Sequence, residues 1–492
     1  MGASALRDAR VMRREVRAAA HIPYALHVTD HVVKTRHGDY VQAFRLGGAS
    51  FESADDAQIN GWHERLNILW RNIASPSLAL WTHLVRRREN TYPAGSFPPG
   101  FAADLKARYR QRLAGQTLMV NELYVSVVYR PQPTRAGSAL LQVLKKAEPL
   151  GEAMELADSL DICAKLQDQL LAALGRYDPE PLGLYRKNDV LFSSLLEFFG
   201  VLVNGEWQRL PAPRGPIAEM LATSRPMFGH EAIEYRMATA TRIGAMLGIK
   251  EYPTPTVPGM FNPLLTAEFP FVLTQSFTFL AKATAQSLLQ RQFNRMRNVG
   301  DLAVSQADAL EEAQDELASN AFVMGDHHFT LQVLADPVEA VGETVPRLRR
   351  LNDAIAQART MLADTGMVVV REDRASEAAF WAQLPGNFSY RSRKAPITSR
   401  NFAAMMPLHN FPAGRRSGNH WGEAITLLAT RAHSPYYFSL HASDPTDPEG
   451  GSRKDSGHTF LCGPNGTGKT VFIGFCLCMA QKLGATQVIF DK

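Results

Sequence analysis

The chain has 492 residues, of which 45% are hydrophobic and 21% are charged. That balance is typical of globular proteins and excludes both disorder along the whole chain and a fibrous fold. The formal net charge of +5 is small for this length, so the composition does not favour a dedicated nucleic-acid-binding protein. At roughly 150 residues per domain, the length predicts about three domains.

The cysteines and the apolar runs narrow the class of protein further. No two cysteines have the two-residue spacing of a zinc site or a redox motif, so all are predicted to be reduced core residues. No apolar run approaches the roughly 20 residues needed to cross a bilayer, which predicts a soluble or peripheral protein. The four cysteines are Cys163, Cys462, Cys476 and Cys478.

The amino terminus is basic but has no apolar segment after its charges, so it is not a secretory signal. Two interpretations remain open for it: a solvated basic helix, or a segment that binds anionic lipid. Its basic residues are Arg7, Arg10, Arg13, Arg14 and Arg17.

The first predicted domain, residues 1–210, has alternating strand and helix patterns. Residues 31–35 and 40–46 are rich in β-formers around a turn at Gly38, which predicts a hairpin. Further predictions are helices over 55–73, 102–113 and 138–174 and strands over 78–85 and 118–129. This alternation predicts an α/β module.

The second predicted domain, residues 211–396, continues in the same style. Strands are predicted over 232–237, 242–252, 269–279, 328–334 and 366–371, with helical regions over 281–319 and 338–362. The first half of the region 281–319 is basic and its second half acidic, which fits either a solvated face or a surface that docks a neighbouring subunit. His327 and His328 are adjacent on a strand, so they point to opposite faces and are not expected to share a metal.

The third predicted domain, residues 397–492, contains the strongest motif in the chain. Strands are predicted over 424–429 and 436–440, followed by a loop rich in Asp, Pro, Gly and Ser. Residues 463–470 satisfy the P-loop pattern G-x-x-x-x-G-K-[ST] in full. An apolar run over 458–462 predicts a buried strand before it, and residues 471–483 predict a helix that ends at Gly484. The predicted nucleotide-binding residues are Gly463, Pro464, Asn465, Gly466, Thr467, Gly468, Lys469 and Thr470.

Each residue type in this motif has a chemical reason. Glycines let the backbone wrap closely around a polyphosphate, so that N–H groups and the positive end of the following helix face the anion. Lys469 is the predicted charge for the β- and γ-phosphates, and the Thr470 hydroxyl is the predicted ligand of Mg²⁺. ATP and Mg²⁺ are therefore the expected cofactors, with Lys469 and Thr470 as the expected catalytic residues.

Residues after the predicted helix suggest a second metal contact. The run 486–490 predicts a second buried strand, and Asp491 stands at its carboxyl end, where open parallel sheets place their ligands. Asp491 either helps to order a metal or water, or is a strand-end cap. Residues 367–370, followed by Glu372, resemble the acidic strand end that binds the metal in P-loop proteins. Because they precede the P-loop, we interpret the resemblance as superficial.

A P-loop fold needs further parallel strands and an acidic strand end after the loop. Because few residues follow Thr470, the chain is expected to be truncated at its carboxyl end and to hydrolyse ATP weakly or not at all. Neither the acidic strand end nor an arginine finger can be assigned from this sequence.

Several further segments, taken in order with the P-loop, resemble the VirB/TrbE/CagE family of type IV secretion ATPases, and within it the large fourth VirB component and its TrwK-like conjugative counterparts. Two departures are His420, where that family often has proline, and Asn465, where Ser or Thr is common. The segments that carry the resemblance are 80–83, 86–88, 380–387, 397–402, 409–411, 438–441 and 489–492.

The resemblance implies a fold, a function and a location. It implies that residues 397–492 begin a RecA-like P-loop ATPase domain of the HerA and FtsK group, behind two amino-terminal α/β modules. It implies an ATPase motor that energises pilus assembly and the export of protein or DNA. A hexamer or dimer, docked on other inner-membrane secretion components through residues 1–210, is expected at the cytoplasmic face of the bacterial inner membrane.

Two other functions remain open. A DNA-translocating pump of the same superfamily would need basic residues along a channel, although solvated surface also explains the basic clusters. A non-hydrolysing scaffold would bind ATP only as a structural ligand. The basic clusters are Arg86, Arg87 and Arg88, then Arg391, Arg393 and Lys394, then Arg415 and Arg416.

Overall fold

The computed structural model describes residues 16–89, 91–131, 149–299, 304–338, 344–441 and 457–490. The contacts divide the chain into two compact units. Unit 1 comprises Met1–Val85, Glu122–Leu264 and Phe269–His409, and unit 2 comprises Arg86–Asn121, Leu265–Glu268 and Asn410–Lys492. The basic amino-terminal residues before position 16 and the predicted helical residues 138–148 lie outside the described residues.

The strands and helices confirm the α/β class, because both element types alternate along the chain. The strands are β1 (Tyr24–His27), β2 (Val33–Thr35), β3 (Tyr40–Leu46), β4 (Leu78–Arg88), β5 (Met119–Tyr129), β6 (Pro179–Pro181), β7 (Leu184–Lys187), β8 (Val190–Ser193), β9 (Arg225–Phe228), β10 (Ile233–Arg236), β11 (Thr241–Glu251), β12 (Phe271–Phe279), β13 (Met324–Leu334), β14 (Val368–Arg371), β15 (Ala395–Thr398), β16 (Thr426–Ala429) and β17 (Pro435–Phe438). The helices are α1 (Asp56–Ile73), α2 (Phe101–Ala114), α3 (Pro149–Ala173), α4 (Ser194–Asn204), α5 (Ile217–Leu221), α6 (Lys282–Val299), α7 (Val304–Ala318), α8 (Thr344–Ala363), α9 (Ser376–Trp381), α10 (Ser399–Met405) and α11 (Lys469–Ala480).

Local sequence explains where several elements start and turn. The predicted hairpin forms between β2 and β3, which pair antiparallel. Gly38 has a φ of +85°, a conformation that glycine adopts without strain, so it allows the tight turn between them. The Asp55 side chain accepts a hydrogen bond from the Gln58 backbone N–H and so caps α1.

One large sheet joins the strands of the two predicted amino-terminal modules. Its order is β1-β2-β3-β5-β4-β12-β13-β11-β10-β9, with β6 on β3, β14 on β11 and β15 on β13. Strand β13 pairs antiparallel with both β11 and β12. Because strands from both predicted modules are neighbours in this sheet, the two modules share one framework.

Aromatic side chains fill the core of unit 1. The rings of Tyr24 and Phe199 stack with centroids 4.2 Å apart. Trp81 is fully buried, and its indole N–H donates to the Ala382 carbonyl 3.2 Å away. Such rings bury large apolar areas, and buried indole N–H groups usually find an acceptor, as Trp81 does here.

The structural units differ from the three consecutive domains predicted from the sequence. Strand β15 pairs with β13, and the Ser399 hydroxyl donates to the Asn67 side chain at 2.7 Å, so residues just after 396 remain part of unit 1. Unit 2 instead combines α2 with β16, β17 and α11. Its two strands form a separate antiparallel sheet, as predicted for residues 424–440.

Two predicted strands are absent from the structure, and one cysteine prediction is wrong. Residues 458–462 and 486–490 are not strands, and they expose apolar side chains such as Phe460 and Phe490. A strand needs a hydrogen-bonded neighbour, and no described segment pairs with either run. Cys163 is buried as predicted, whereas Cys462 is exposed rather than a core residue. No helix in the described part of the chain is long and apolar enough to span a membrane.

Candidate nucleotide-binding site

The P-loop of unit 2 forms a turn that leads directly into α11. Its last glycine, Gly468, has a φ of +83° and precedes the first helical residue, Lys469. The Phe472 N–H donates to the Gly468 carbonyl at 2.9 Å, which is the first hydrogen bond of the helix. The first N–H groups of any α-helix have no intrahelical acceptor and carry partial positive charge, so this end of α11 suits an anion.

The glycines of the loop are needed for two different reasons. Gly466 and Gly468 have φ values of +78° and +83°, which disfavour any other L-residue there. A Cβ on either would meet nothing within 4 Å, so the constraint is conformational. At Gly463 the constraint is space, because a Cβ there would lie 3.1 Å from the Thr467 hydroxyl and 3.9 Å from Cδ of Lys469.

Lys469 folds back across the loop. Its ammonium donates to the carbonyls of Gly463 and Pro464, each at 2.8 Å. The Thr467 hydroxyl donates to the same Pro464 carbonyl at 2.7 Å. The Lys469 ammonium is therefore held against the loop backbone, where its two hydrogen bonds stabilise the turn.

The loop is open to solvent along its whole length. Residues 463–468 and Thr470 are exposed, and Lys469 is half-buried. Thr470 occupies the first turn of α11, next to the charged Lys469. A polyphosphate can therefore reach the helix end, the lysine and the threonine hydroxyl without displacing any core residue.

The body of α11 is fixed by aromatic packing within unit 2. Phe475 packs on Tyr109 with ring centroids 4.6 Å apart, and Phe472 meets Phe438 of β17 edge to face at 5.8 Å. Burial raises the pKa of Tyr109 to about 12, so its hydroxyl stays protonated and donates to the Leu427 carbonyl at 2.8 Å. The helix that presents the loop is thus bound to both α2 and the β16–β17 sheet.

The carboxyl end of α11 is also tethered. Lys482 donates to the carbonyls of Ala94 and Ala424, and Met479 is fully buried beside Tyr92. These supporting residues were missed from the sequence. The only sequence signal for them is the presence of two aromatic residues, Tyr92 and Tyr109, before the long central part of the chain. Their partners cannot be recognised from the sequence, because Tyr109 and Leu427 are 318 positions apart.

The residues present fit a magnesium–nucleotide in their chemistry. The loop offers backbone N–H groups, one mobile ammonium and one hydroxyl, which are the donor types that a polyphosphate and its metal need. The predicted second metal residue, Asp491, lies outside the described residues. Among the described residues, no group of three or more His, Cys, Asp or Glu side chains could hold a metal ion.

The upstream acidic residue Glu372 is occupied by another interaction. It follows β14 in unit 1, is only 5% exposed, and its carboxylate accepts a hydrogen bond from Nε of Arg393 at 2.6 Å. This ion pair accounts for the charge of Glu372, so nothing in the described surroundings of this carboxylate requires a metal ion.

The two adjacent histidines of β13 are structural. His327 bonds with the Tyr252 hydroxyl at 2.9 Å and the Gln275 side chain at 3.1 Å. Burial lowers the pKa values of both His327 and His328 to about 3, with nearby Arg391 contributing. Both imidazoles therefore stay neutral at physiological pH.

The predicted basic clusters include two residues that are neither solvated surface nor available to line a channel. Arg86 is 1% exposed, and its guanidinium donates to the Ala267 carbonyl and to the Asn121 side chain. Arg391 is 7% exposed and lies 5.1 Å from the Phe388 ring centroid. Their neighbours Arg88, Arg393, Lys394, Arg415 and Arg416 are exposed, and Arg87 is half-buried.

Two family models match successive parts of the chain, and both describe components of type IV secretion or transport systems. Residues 180–393 match the model of the CagE, TrbE, VirB family, a component of type IV transporter system. Residues 31–137 match the model of the N-terminal domain of the type IV secretion system ATPase VirB4/TrbE.

Curated relatives align over nearly the whole chain. The type IV secretion system protein virB4 of Bartonella quintana (strain Toulouse) is 42% identical over 484 residues, which cover 98% of this chain and 59% of the relative. The type IV secretion system protein PtlC of Bordetella pertussis (strain Tohama I) is 36% identical over 502 residues, covering 98% of this chain and 58% of the relative. The virB4 protein of Brucella suis biovar 1 is 37% identical over 508 residues, covering 100% and 59%. The chain therefore spans less than two thirds of the length of these relatives.

Proposed function

The chain belongs to the CagE, TrbE, VirB family of type IV transporter components, and on that premise we propose that it is the ATP-binding part of a secretion motor. The motor hydrolyses ATP to energise pilus assembly and the translocation of protein or DNA. The observation that carries this proposal is the P-loop at 463–470, with two left-handed glycines leading into the positive end of α11.

Each residue of the loop has a separate task in this proposal. Gly466 and Gly468 hold the backbone close to the phosphates. Lys469 exchanges its bonds to the neutral carbonyls of Gly463 and Pro464 for bonds to the β- and γ-phosphates, which are stronger because both partners are then charged. Thr470 offers its hydroxyl to the metal. When bound, Mg²⁺–ATP supplies the phosphoanhydride bond and the divalent charge that balances the phosphates.

The family also supports proposals about assembly and location. We propose that the protein works as a hexamer or dimer with other inner-membrane secretion components, at the cytoplasmic face of the bacterial inner membrane. Related proteins carry the name of type IV secretion system proteins, which supports association with such components.

Binding of ATP to this chain tests the proposal most directly. Lys469→Ala is expected to weaken ATP binding at least tenfold in isothermal titration calorimetry, because the variant loses the ammonium. Lys106→Ala is a matched control, since this lysine of unit 2 is half-buried like Lys469 and also donates to a backbone carbonyl, that of Gly95 at 2.8 Å. Equal ATP affinity in the native chain and the Lys469→Ala variant would remove the P-loop proposal.

Turnover separates a motor from a scaffold. Steady-state hydrolysis is measured for this chain beside its Lys469→Ala variant. A motor requires turnover that Lys469→Ala abolishes. ATP binding without turnover in every assembly state would replace the motor with a scaffold that uses ATP as a structural ligand.

A further inference from the structure

A groove in unit 1 runs along helix α1 and has no part in the proposed ATPase function. Two adjoining cavities, of about 490 and 460 Å³, form it. Each is within the size range of ligand sites. Both are lined by the same three side chains, Trp62, Arg65 and Arg176, so the two cavities meet at one aromatic and cationic wall.

The wall is built around the Trp62 ring. Trp62 is 8% exposed, and its edge packs against His409 with ring centroids 6.0 Å apart, which holds the indole in place. The Arg176 guanidinium lies over the indole, 4.9 Å from its centroid. Leu66 and Tyr177 add apolar surface beside it, so the groove combines a flat apolar floor with charge.

Two cations, Arg65 and Arg176, line both cavities, whereas the carboxylate of Asp55 lines the second cavity alone. Arg65 and Arg176 are both exposed, and among the described residues neither guanidinium has an ion-pair partner. Both charges act on the Tyr177 hydroxyl, opposing the rise in its pKa that burial causes. Asp55, at the far end of the groove, already accepts the capping hydrogen bond from Gln58 at 2.8 Å.

The length of the groove favours an extended ligand. Its lining follows α1 from Asp55 to Leu66, which at 1.5 Å per residue is roughly 16 Å. An extended peptide covers that length with about five residues at roughly 3.3 Å each. A compact anion would fill only one of the two cavities.

We propose that this groove binds an acidic peptide segment of a partner protein. One or two carboxylates of the peptide pair with Arg65 and Arg176, and an apolar side chain between them packs on Trp62. Guanidinium groups pair with carboxylates in a planar, two-bonded geometry, and arginine and tryptophan are enriched among residues that dominate binding energy. This surface is independent of the P-loop, so it can be tested whether or not the chain hydrolyses ATP.

Fluorescence anisotropy with a defined probe tests the proposal. The probe is a short fluorescein-labelled peptide with two glutamates separated by a leucine, and its control carries lysine at both glutamate positions. Saturable binding of the acidic peptide only is expected. The double variant Arg65→Ala/Arg176→Ala should weaken it by roughly tenfold or more. The double variant Arg186→Ala/Arg359→Ala removes two exposed arginines of unit 1 that do not line the groove, and it should bind normally.

Charge reversal distinguishes direct pairing from an indirect effect. Arg65→Glu/Arg176→Glu should lose the acidic peptide and acquire binding of the lysine peptide, which a purely structural role would not produce. Failure of the acidic peptide to bind, or equal binding by the Arg65→Ala/Arg176→Ala variant, overturns the proposal. Arginine-dependent binding of phosphatidylserine vesicles, of inorganic phosphate or of a second copy of the chain, without peptide binding, also overturns it.

Discussion

The buried histidine of strand β4 should make unit 1 sensitive to mild acid. His83 is fully buried, and its Nε2 donates to the Gln383 carbonyl at 2.8 Å, so Nδ1 carries no proton. Nδ1 has no hydrogen-bond partner among the described residues. Protonation would therefore place an unpaired charge in the core, and burial lowers the pKa of His83 to about 4.

The size of the effect follows from the two pKa values. In the unfolded chain the imidazole takes up a proton near pH 6.5, whereas in the folded protein it stays neutral until about pH 4. Between these values the unfolded state binds more protons, so the free energy of unfolding falls as the pH falls. At pH 5, which is 1.5 units below the unfolded pKa, His83 alone should remove about 2 kcal/mol relative to pH 8.

Urea unfolding followed by circular dichroism from pH 8 to pH 5 measures this loss. The variant His83→Gln keeps an N–H that can donate to Gln383 but has no titrating group. Its free energy of unfolding should fall by about 2 kcal/mol less than that of the native chain between pH 8 and pH 5. Between pH 8 and pH 7.5 the difference between the two proteins should be constant. Parallel curves down to pH 5 would show that His83 does not titrate on unfolding, and the reasoning would fail.

Three further tests address the packing, a buried ion pair and the loop. Leu427→Ala should lower the free energy of unfolding of unit 2 by about 2–5 kcal/mol in urea, because the side chain is 1% exposed, whereas Val471→Ala, 76% exposed, should change it by less than about 0.5 kcal/mol. Arg393→Ala leaves the buried carboxylate it pairs with unpaired and should cost about 1–3 kcal/mol in the same assay. Gly468→Ala should destabilise by about 1–2 kcal/mol because its φ is +83°, whereas Gly474→Ala, inside α11 with nothing within 4 Å of a Cβ, should stabilise by up to about 1 kcal/mol. Equal effects of the two alanines on the thermal midpoint would contradict the left-handed conformation of the loop.

Local patterns predicted most of the elements of unit 1. The hairpin around Gly38, helix α1 and strands β4 and β5 were all expected from alternation, periodicity and turn residues, and the structure confirms them. These signals work because they depend on neighbours in sequence. The helix after the P-loop was also expected, including its stop at Gly484, which has a φ of +65°.

Several failures concern relationships between distant residues. Residues 458–462 and 486–490 have the composition of buried strands, but pairing partners decide whether a run becomes a strand, and composition does not contain them. Arg86 looks like a surface cation in sequence, yet it is buried because Asn121 and the Ala267 carbonyl accept its hydrogen bonds. The residues that support α11 could not be linked to it because Tyr109 and Leu427 are 318 positions apart.

That separation has a consequence for synthesis of the protein on the ribosome. Helix α2 leaves the ribosome early, but its partners in β16 and α11 follow roughly 300 residues later. At about 5–20 residues per second, the interval is roughly 15–60 s, far longer than a helix needs to form. During this time the apolar face of α2 lacks its native partners from β16 and α11, which makes it a natural target for a cotranslational chaperone. The same dependence means that residues 397–492 expressed alone would lack the helix against which the P-loop helix packs.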